Sequence, residues 1–258
     1  MPTVLLASAA GAPGVTTTAL GLALTWPGDA LLVDADRQPA QSVLAGHLHG
    51  VSALGRGLGG LARAHRELRP LAPELLVHCL RLTKDDRDHR RILLPGFSHP
   101  GAPSLFGPVW AELAEALHGL SRSGNAVIID GGRVGEGLPA PLVSIADVVL
   151  LVTRCTLRHL AGVRLHLPAL RQRMEQQNAG TELGLCLIGA GDPYGAKEIS
   201  EQFGVSVWAS LPTDPGSARV WSDGEPESRR FRHGHLAKGI RAAASELSVR
   251  TQATGIRP

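Results

Sequence analysis

The chain has few cysteines, little net charge and no long apolar run. Its 258 residues include three cysteines, Cys79, Cys155 and Cys186, which lie far apart and form no C-x-x-C pair. This odd, scattered set predicts reduced, mostly buried thiols in a cytoplasmic protein rather than a disulfide framework. No apolar run reaches the roughly 18 to 20 residues that cross a bilayer, and the N-terminus lacks the basic region of a signal peptide. We therefore expect no transmembrane segment and no export signal.

The charge is also too small to indicate nucleic-acid binding by itself, since the net charge is +3 and the pI is near 9.1. Basic side chains concentrate in one stretch, made up of Arg229, Arg230, Arg232, His233, His235, Lys238 and Arg241. Within and after it, Leu236, Ile240, Ala244 and Leu247 recur at helical spacing, which predicts a helix packed on the rest of the fold. Contact with DNA or an anionic membrane surface is the alternative, and we favour the packing interpretation.

Apolar runs of about four to eight residues alternate with segments of helical length, which is typical of a parallel sheet built from βαβ units. The pattern predicts one α/β domain over residues 1–250, with a mostly parallel twisted sheet and helices on both faces, and a flexible tail at 251–258. Strands are expected near 3–7, 30–34, 75–78, 91–94, 126–130, 147–153, 184–189 and 206–210. Helices are expected over 16–24, 54–66, 105–122, 157–177, 195–203, 216–222 and 233–248.

Lysine is scarce, and it is absent where a phosphate-binding loop needs it. Residues 9–18 read AAGAPGVTTT directly after the apolar run at 4–7. Against the pattern G-x-x-x-x-G-K-[ST], Gly14 matches the second glycine and Thr16 the magnesium-binding hydroxyl, whereas Val15 replaces the lysine. The only lysines are Lys84, Lys197 and Lys238. The sequence predicts a phosphate cradle without its cation, formed by Gly11, Ala12, Pro13, Gly14, Val15, Thr16 and Thr17.

This loop resembles that of the MinD/ParA family, the deviant Walker A P-loop ATPases of the SIMIBI class, which reads G-K-G-G-x-G-K-T-T. Ala10 and Val15 stand where that family has its two lysines. Three further segments match the family in order. Residues 30–39, ALLVDADRQP, resemble its switch I pattern D-x-D-x-Q, and residues 125–132, NAVIIDGG, resemble its Walker B strand. Residues 211–214, LPTD, resemble the late segment that closes over the adenine, which places Pro212 in the nucleotide site.

The resemblance implies a P-loop NTPase fold that binds ATP or ADP with Mg²⁺. Thr16, Asp34 and Asp130 would then hold the metal, and Asp34 would also position the attacking water. Arg37 or Arg133, in the two switches, would restore a positive charge, because a guanidinium also binds phosphate. Gly189 falls where the family often has an asparagine that reads the base.

Without the loop lysines we expect weakened nucleotide binding and weak or absent hydrolysis. Atypical family members such as the TadZ and CpaE proteins show the same loss. The resemblance therefore implies a role in intracellular positioning or assembly, in pilus, secretion or partition machinery, through a protein partner. An active ParA-type ATPase of chromosome or plasmid partitioning is one alternative, and a structural pseudo-ATPase that binds no nucleotide is another. Because Ala10 cannot reach across a dimer, any homodimer is expected to be insensitive to ATP.

Overall fold

The computed structural model describes residues 1–11, 14–83, 88–177 and 180–254. Its strands are β1 (Thr3–Ser8), β2 (Ala30–Asp34), β3 (Leu80–Arg81), β4 (Arg91–Leu94), β5 (Ala126–Arg133), β6 (Val148–Arg154), β7 (Glu182–Ile188) and β8 (Val207–Leu211). The α-helices are α1 (Val15–Thr25), α2 (Ser42–Ala45), α3 (Leu58–Arg66), α4 (Leu71–Val77), α5 (Ala102–Leu105), α6 (Val109–Arg122), α7 (Ala140–Ser144), α8 (Leu157–Gln177), α9 (Ala196–Phe203), α10 (Pro215–Ser222) and α11 (His235–Thr254). Two short 3-10 turns lie at Val134–Glu136 and Phe231–His233.

The strands form one sheet in the order β3-β4-β2-β5-β1-β6-β7-β8. Neighbouring strands run parallel, except that β3 is antiparallel to β4. This confirms the predicted mostly parallel sheet. Asp130 of β5 lies in register with Leu6 of β1 on one side and with Asp34 of β2 on the other. The carboxyl ends of these three strands therefore meet at one edge, where ligands of open α/β sheets bind.

Helices cover both faces of the sheet, as the sequence predicts. Along β1, Leu5 and Ala7 pack under α3, α4, α6 and α8, whereas Val4 and Leu6 pack under α1, α10 and α11. Because both faces are buried, the central strands are continuous apolar runs rather than alternating ones. This arrangement holds the strand ends of the candidate site on a rigid core.

The expected strand at 75–78 is wrong, because Leu71–Val77 is helix α4 and the short strand β3 follows it. Leu71 and Leu75, four residues apart, are buried on one face of the helix, and Pro70 precedes it. Leu76 and Val77 are 41% and 64% exposed, so the apolar run is not a buried strand. A run this short does not distinguish a strand from one face of a helix.

Two other expected segments have different bounds in the structure. The helix expected over 54–66 begins at Leu58, and the one expected over 105–122 divides into α5 and α6. Pro103 and Pro108 lie at the starts of these two helices, where a missing backbone N–H costs little.

The last helix packs on the sheet as its apolar spacing predicts. Leu236, Ile240, Ala244 and Leu247 are all buried against the core that contains α1. The helix continues through Thr254, four residues into the segment predicted as a tail, and residues 255–258 lie outside the described part of the chain. The packed face leaves the basic residues on its exposed side.

The three cysteines lie in the interior, as the composition predicts. Cys79, Cys155 and Cys186 are buried and form no disulfide. Burial raises the pKa of the Cys79 and Cys186 thiols to about 12, which keeps them protonated. In the described ranges, no helix combines the length and the apolar character needed to cross a membrane.

Candidate functional site

The predicted phosphate loop connects β1 to α1 and has the backbone geometry that its glycines allow. Gly14 caps α1 in the left-handed region, at φ 101° and ψ 33°, and Gly11 has φ 70°. Among the described residues, no side chain caps this helix, and its first backbone bond runs from the Thr18 N–H to the Gly14 carbonyl at 2.9 Å. The N–H groups of the first turn, at the positive end of the helix dipole, thus have no side-chain cap. The predicted contributors Ala12 and Pro13 lie outside the described residues.

Val15, which replaces the lysine of the loop pattern, has an apolar side chain and lies among apolar residues. Val15 is 7% exposed and belongs to the same core cluster as Leu20 and Leu6. It also borders the cleft at the start of α1. The loop therefore contributes shape and backbone donors at this point, and no charge.

We call this opening the switch cleft, a space of about 450 Å³ between the start of α1, the segment after β2, the end of β5 and the end of α10. It brings six of the predicted site residues together, Gly11, Gly14, Val15, Thr16, Thr17 and Asp130, and Asp36, Gln38, Gly132, Arg133 and Ser222 also line it. Two other predicted residues, Asp34 and Pro212, do not line it.

Asp130 carries the clearest chemical signal in the cleft. Its side chain is 2% exposed, and its Oδ1 accepts a hydrogen bond from the Gly132 N–H at 3.0 Å. Its Oδ2 is buried and has no hydrogen-bond partner among the described residues. Burial raises the pKa of this carboxyl, while the nearby Thr16 hydroxyl and the Gly132 N–H oppose the shift. A buried carboxylate oxygen without a donor is costly, and a bound cation would satisfy it.

Two more carboxylates crowd the same strand ends. Asp34 is half-buried against Gly96, where an added Cβ would lie 2.6 Å from the Asp34 Cγ. Burial, followed by the charges of Asp130 and Asp36, raises the pKa of Asp34. Asp34 thus faces Gly96, whereas Asp36, two residues on, lines the switch cleft. Of the two switch aspartates, Asp36 is the one placed to meet a ligand there.

This donor set fits a magnesium ion that comes with a phosphate ligand. In the described ranges, no three His, Cys, Asp or Glu side chains are grouped closely enough to hold a metal by themselves. Mg²⁺ is typically held by one or two carboxylates together with phosphate oxygens and water. Thr16, Asp130 and Asp36 would supply the protein's share, with Asp130 Oδ2 as the ligand that now lacks a partner.

Of the two arginines expected to replace the lysine, the structure places one in the cleft. Arg37 Nη1 donates to the Gly137 carbonyl at 3.3 Å, and Arg37 is not part of the cleft lining. Arg133 lines the cleft, and its Nη1 donates to Gln38 Oε1 at 2.7 Å. Arg133 therefore adds positive charge on the side of Asp130.

A second space of about 320 Å³, which we call the apolar cleft, adjoins the first and shares Gly14, Thr17 and Ser222 with it. Its other lining residues are mostly apolar and include Pro212, Ile188, Leu211, Leu236 and Ile240. Pro212 thus lies where the late sequence segment predicts it. This space suits a flat apolar group attached to a phosphate chain.

Thr213 and Arg154 are polar residues of the apolar cleft that the sequence pattern did not predict as site residues. Thr213 Oγ1 occupies the position that a side chain at Gly189 would enter, which explains the glycine there. Arg154, at the end of β6, lines the cleft beside Gly14 and Thr17. Thr213 could have been noted from its place in LPTD, and Arg154 from its position directly after the expected strand 147–153.

Helix α8 packs directly on the loop. A Cβ on Gly162 would overlap the Cβ of Ala10, and a Cβ on Gly11 would come within 3.2 Å of His159 Nε2. His159 is itself held by a hydrogen bond between its Nδ1 and Thr156 Oγ1 at 2.8 Å. Ala10, at the first lysine position, is thus packed against a helix of its own chain.

No protein-family model matches the sequence, and no curated protein does either. Solved structures do match in fold. A ParA family ATPase from Chlorobium tepidum TLS has a TM-score of 0.70 at 15% identity, over 95% of this chain and 98% of that one. MinD, the septum site-determining protein of Pyrococcus horikoshii OT3 complexed with Mg-ADP, has a TM-score of 0.68 at 18% identity, over 99% of each chain. The MinC:MinD complex of Aquifex aeolicus matches with a TM-score of 0.65 at 16% identity, over 96% of each chain. The chain therefore has the P-loop NTPase fold of MinD and ParA proteins.

Proposed function

We propose that this chain is an atypical MinD/ParA-like protein that binds adenine nucleotide, hydrolyses it slowly or not at all, and acts in intracellular positioning or assembly. The observation that carries the proposal is that Asp130, which lines the same cleft as the start of α1, has a buried Oδ2 without a hydrogen-bond partner among the described residues. A site that served packing alone would leave this oxygen unsatisfied.

Binding and turnover place different demands on this site. Backbone N–H groups, the Thr16 hydroxyl and a cation at Asp130 are enough to hold a nucleotide. Each charge-assisted bond that a loop lysine would make contributes roughly 1.5 to 3 kcal/mol, so its absence weakens binding by about one to two powers of ten. The same charge would stabilise the transition state, so hydrolysis suffers more than binding. For any residual turnover, Asp36 is better placed than Asp34 to orient water, since only Asp36 lines the switch cleft.

The inferred mode of action is recruitment of a partner rather than a nucleotide-driven cycle. One structure of this fold is a complex of MinD with a second protein, MinC. We infer that the present chain likewise binds another protein of a positioning or assembly system in the cytoplasm, in the manner of the TadZ and CpaE proteins. The surface that binds the partner would then be formed by the fold itself and stabilised by bound nucleotide.

The test is a pair of measurements on the purified chain, namely calorimetric titration with ATP and ADP with and without Mg²⁺, and steady-state release of inorganic phosphate. We expect measurable binding that Mg²⁺ strengthens, with phosphate release at background. Asp130→Asn is the matched control, because an asparagine keeps an oxygen for the Gly132 N–H but loses the charge. This variant should lose the dependence on Mg²⁺.

Two results would replace the proposal by one of its alternatives. Turnover near one per second that is abolished by Asp36→Ala or Asp34→Ala would identify an active partition-type ATPase. The absence of heat on titration with millimolar nucleotide, with the fold intact, would identify a structural protein that binds none.

A further inference from the structure

Arg154 ends β6 at the carboxyl edge of the sheet, next to the loop. It is in register with Ile188 of β7, and its strand pairs with β1 from Val4 to Ser8. Its neighbours Thr153 and Cys155 are buried, whereas Arg154 itself is exposed. The side chain lines the apolar cleft together with Gly14 and Thr17.

The guanidinium of Arg154 makes no ion pair or hydrogen bond within the described part of the chain. The charge of Arg154 acts on His159, whose pKa is lowered mainly by burial and further by the charges of Arg158 and Arg154. The other arginine of this cleft, Arg219, faces Glu225 at 3.9 Å. The carboxylate of the cleft, Asp214, caps α10 by accepting from the Ser217 N–H at 3.0 Å. With respect to the described residues, Arg154 is therefore an uncompensated cation beside a loop that lacks its own.

We propose that Arg154 supplies the phosphate-binding charge that Val15 does not, and that it contacts the phosphates next to the ribose rather than the terminal phosphate. This inference rests on the proposed function. A guanidinium binds phosphate oxygens through two parallel N–H bonds, and it is less strongly hydrated than an ammonium group.

The position of Arg154 determines which phosphates it serves. It lies in the apolar cleft, while Thr16 and Asp130 lie in the switch cleft, and Gly14 and Thr17 form the boundary between them. A nucleotide with its base in the apolar cleft has its first phosphates at this boundary and a third phosphate farther toward Asp130. The charge from Arg154 thus acts on groups that ADP and ATP share, and the site binds the diphosphate about as tightly as the triphosphate.

The experiment measures the affinities of ADP, ATP and adenosine for the full chain and for three variants. Arg154→Ala should weaken ADP and ATP alike, by about ten-fold or more, and should leave adenosine unchanged. Arg154→Lys should recover part of the loss, because it keeps the charge without the planar pair of donors. Arg164→Ala, an equal change of charge at an exposed position of α8 that lines neither cleft, should change nothing.

The outcomes separate this inference from the function on which it rests. Wild-type protein that binds no nucleotide contradicts both. Wild-type protein that binds nucleotide, with Arg154→Ala binding ADP and ATP as tightly, contradicts the role of Arg154 alone. Loss of ATP affinity with ADP affinity retained would place the arginine at the terminal phosphate and overturn the assignment. A urea titration of each variant checks that the fold is intact.

Discussion

At the scale of single residues, the site combines a missing cation with an unpaired anion. Val15 borders the switch cleft with an apolar side chain, and Asp130, which also lines it, has a buried carboxylate oxygen without a donor in the described part of the chain. In a site with a loop lysine, the charge of that lysine would partly offset the carboxylates. Under the proposed function, a bound cation and arginines from other elements would provide this balance.

Restoring the loop lysine should strengthen binding. Val15→Lys places an ammonium group at the edge of the switch cleft, and we expect ATP affinity to rise by about ten-fold or more. Val15→Met, of similar length but uncharged, is the control and should give no gain. Titration calorimetry measures both. If lysine gives no improvement in a protein with intact fold, the loop lacks the geometry of a phosphate cradle.

The crowded carboxylates predict a characteristic dependence of stability on pH. The pKa of Asp34 is raised from 3.8 to about 7, so the folded state holds this proton more tightly than the unfolded state. A carboxyl whose pKa is higher in the folded state than in the unfolded state stabilises the fold at pH values below its unfolded pKa. This contribution to the free energy of unfolding is lost as pH rises through the window from about 4 to about 7. Asp34→Asn removes the titration. The free energy of unfolding of wild type relative to Asp34→Asn should therefore fall across that window, by roughly 1 to 2 kcal/mol because Asp34 is only half-buried.

Urea denaturation of both proteins at several values of pH gives this difference directly, and the comparison cancels the histidines that titrate in the same range. Millimolar Mg²⁺ together with ADP at pH 8 should stabilise wild type more than Asp130→Asn, since the former keeps the carboxylate. If the difference in unfolding free energy between the two proteins does not change with pH, Asp34 ionises in the folded state as it does in the unfolded chain.

At the scale of elements, the contact between α8 and the loop that connects β1 to α1 fixes the position of this loop. Gly162 allows the helix to approach Ala10 so closely that an added methyl would overlap it. The sequence shows a glycine in the middle of a helix, which by itself only lowers helix propensity. The structure explains this glycine, because the helix packs against the loop at this residue.

Gly162→Ala should destabilise the fold by about 1 to 3 kcal/mol, despite the better helix propensity of alanine, because the methyl group must displace the loop. Gly119→Ala is the matched control. It lies in α6 with nothing within 4 Å of the added Cβ, so it should stabilise by about 0.5 to 1 kcal/mol. Urea denaturation measures both changes.

Adding Ala10→Gly to Gly162→Ala removes the clashing methyl and should recover most of the loss. A double variant no more stable than Gly162→Ala would show that another contact of α8 accounts for the destabilisation.

Long buried apolar runs predict their strands well, whereas a short apolar run does not identify its element. The strands that end at the site, β1, β2, β5 and β6, all lie within two or three residues of their expected bounds, because their apolar runs are long and buried on both faces. The run at 75–78 is short, and the same residues suit a helix with one buried face. The local pattern does not distinguish a strand from a helix at these residues. The packing of the segment against α3 and α6 favours the helix.

At the scale of the whole molecule, the packing of Ala10 bears on assembly. The side chain is small and lies against Gly162 of the same chain, so we expect it to make no contact across a nucleotide-bridged dimer. Any dimer should then depend on surfaces outside the loop. ATP would not switch such a protein between free and assembled states.

Sedimentation velocity with and without Mg²⁺-ATP tests this directly. We expect the same sedimentation coefficient in both conditions, whether the protein is a monomer or a dimer. The matched comparison is Val15→Lys with Mg²⁺-ATP, which should bind nucleotide more tightly and still not change its assembly state. A monomer that becomes a dimer only with Mg²⁺-ATP would contradict the scaffold interpretation and indicate a nucleotide switch.

By itself, the sequence determined the α/β class, the mostly parallel sheet, the loop between β1 and α1 and the loss of the lysine at Val15, since these follow from local pattern and residue identity. Only the tertiary structure decided which side chains line the two clefts. Asp34 and Asp36 are two residues apart in one segment, yet Gly96 contacts the first and the cleft the second. Arg154 and Gly162 enter the site from elements more than 130 residues after the loop. Such neighbours arise from strand order and helix packing, which no local spacing encodes.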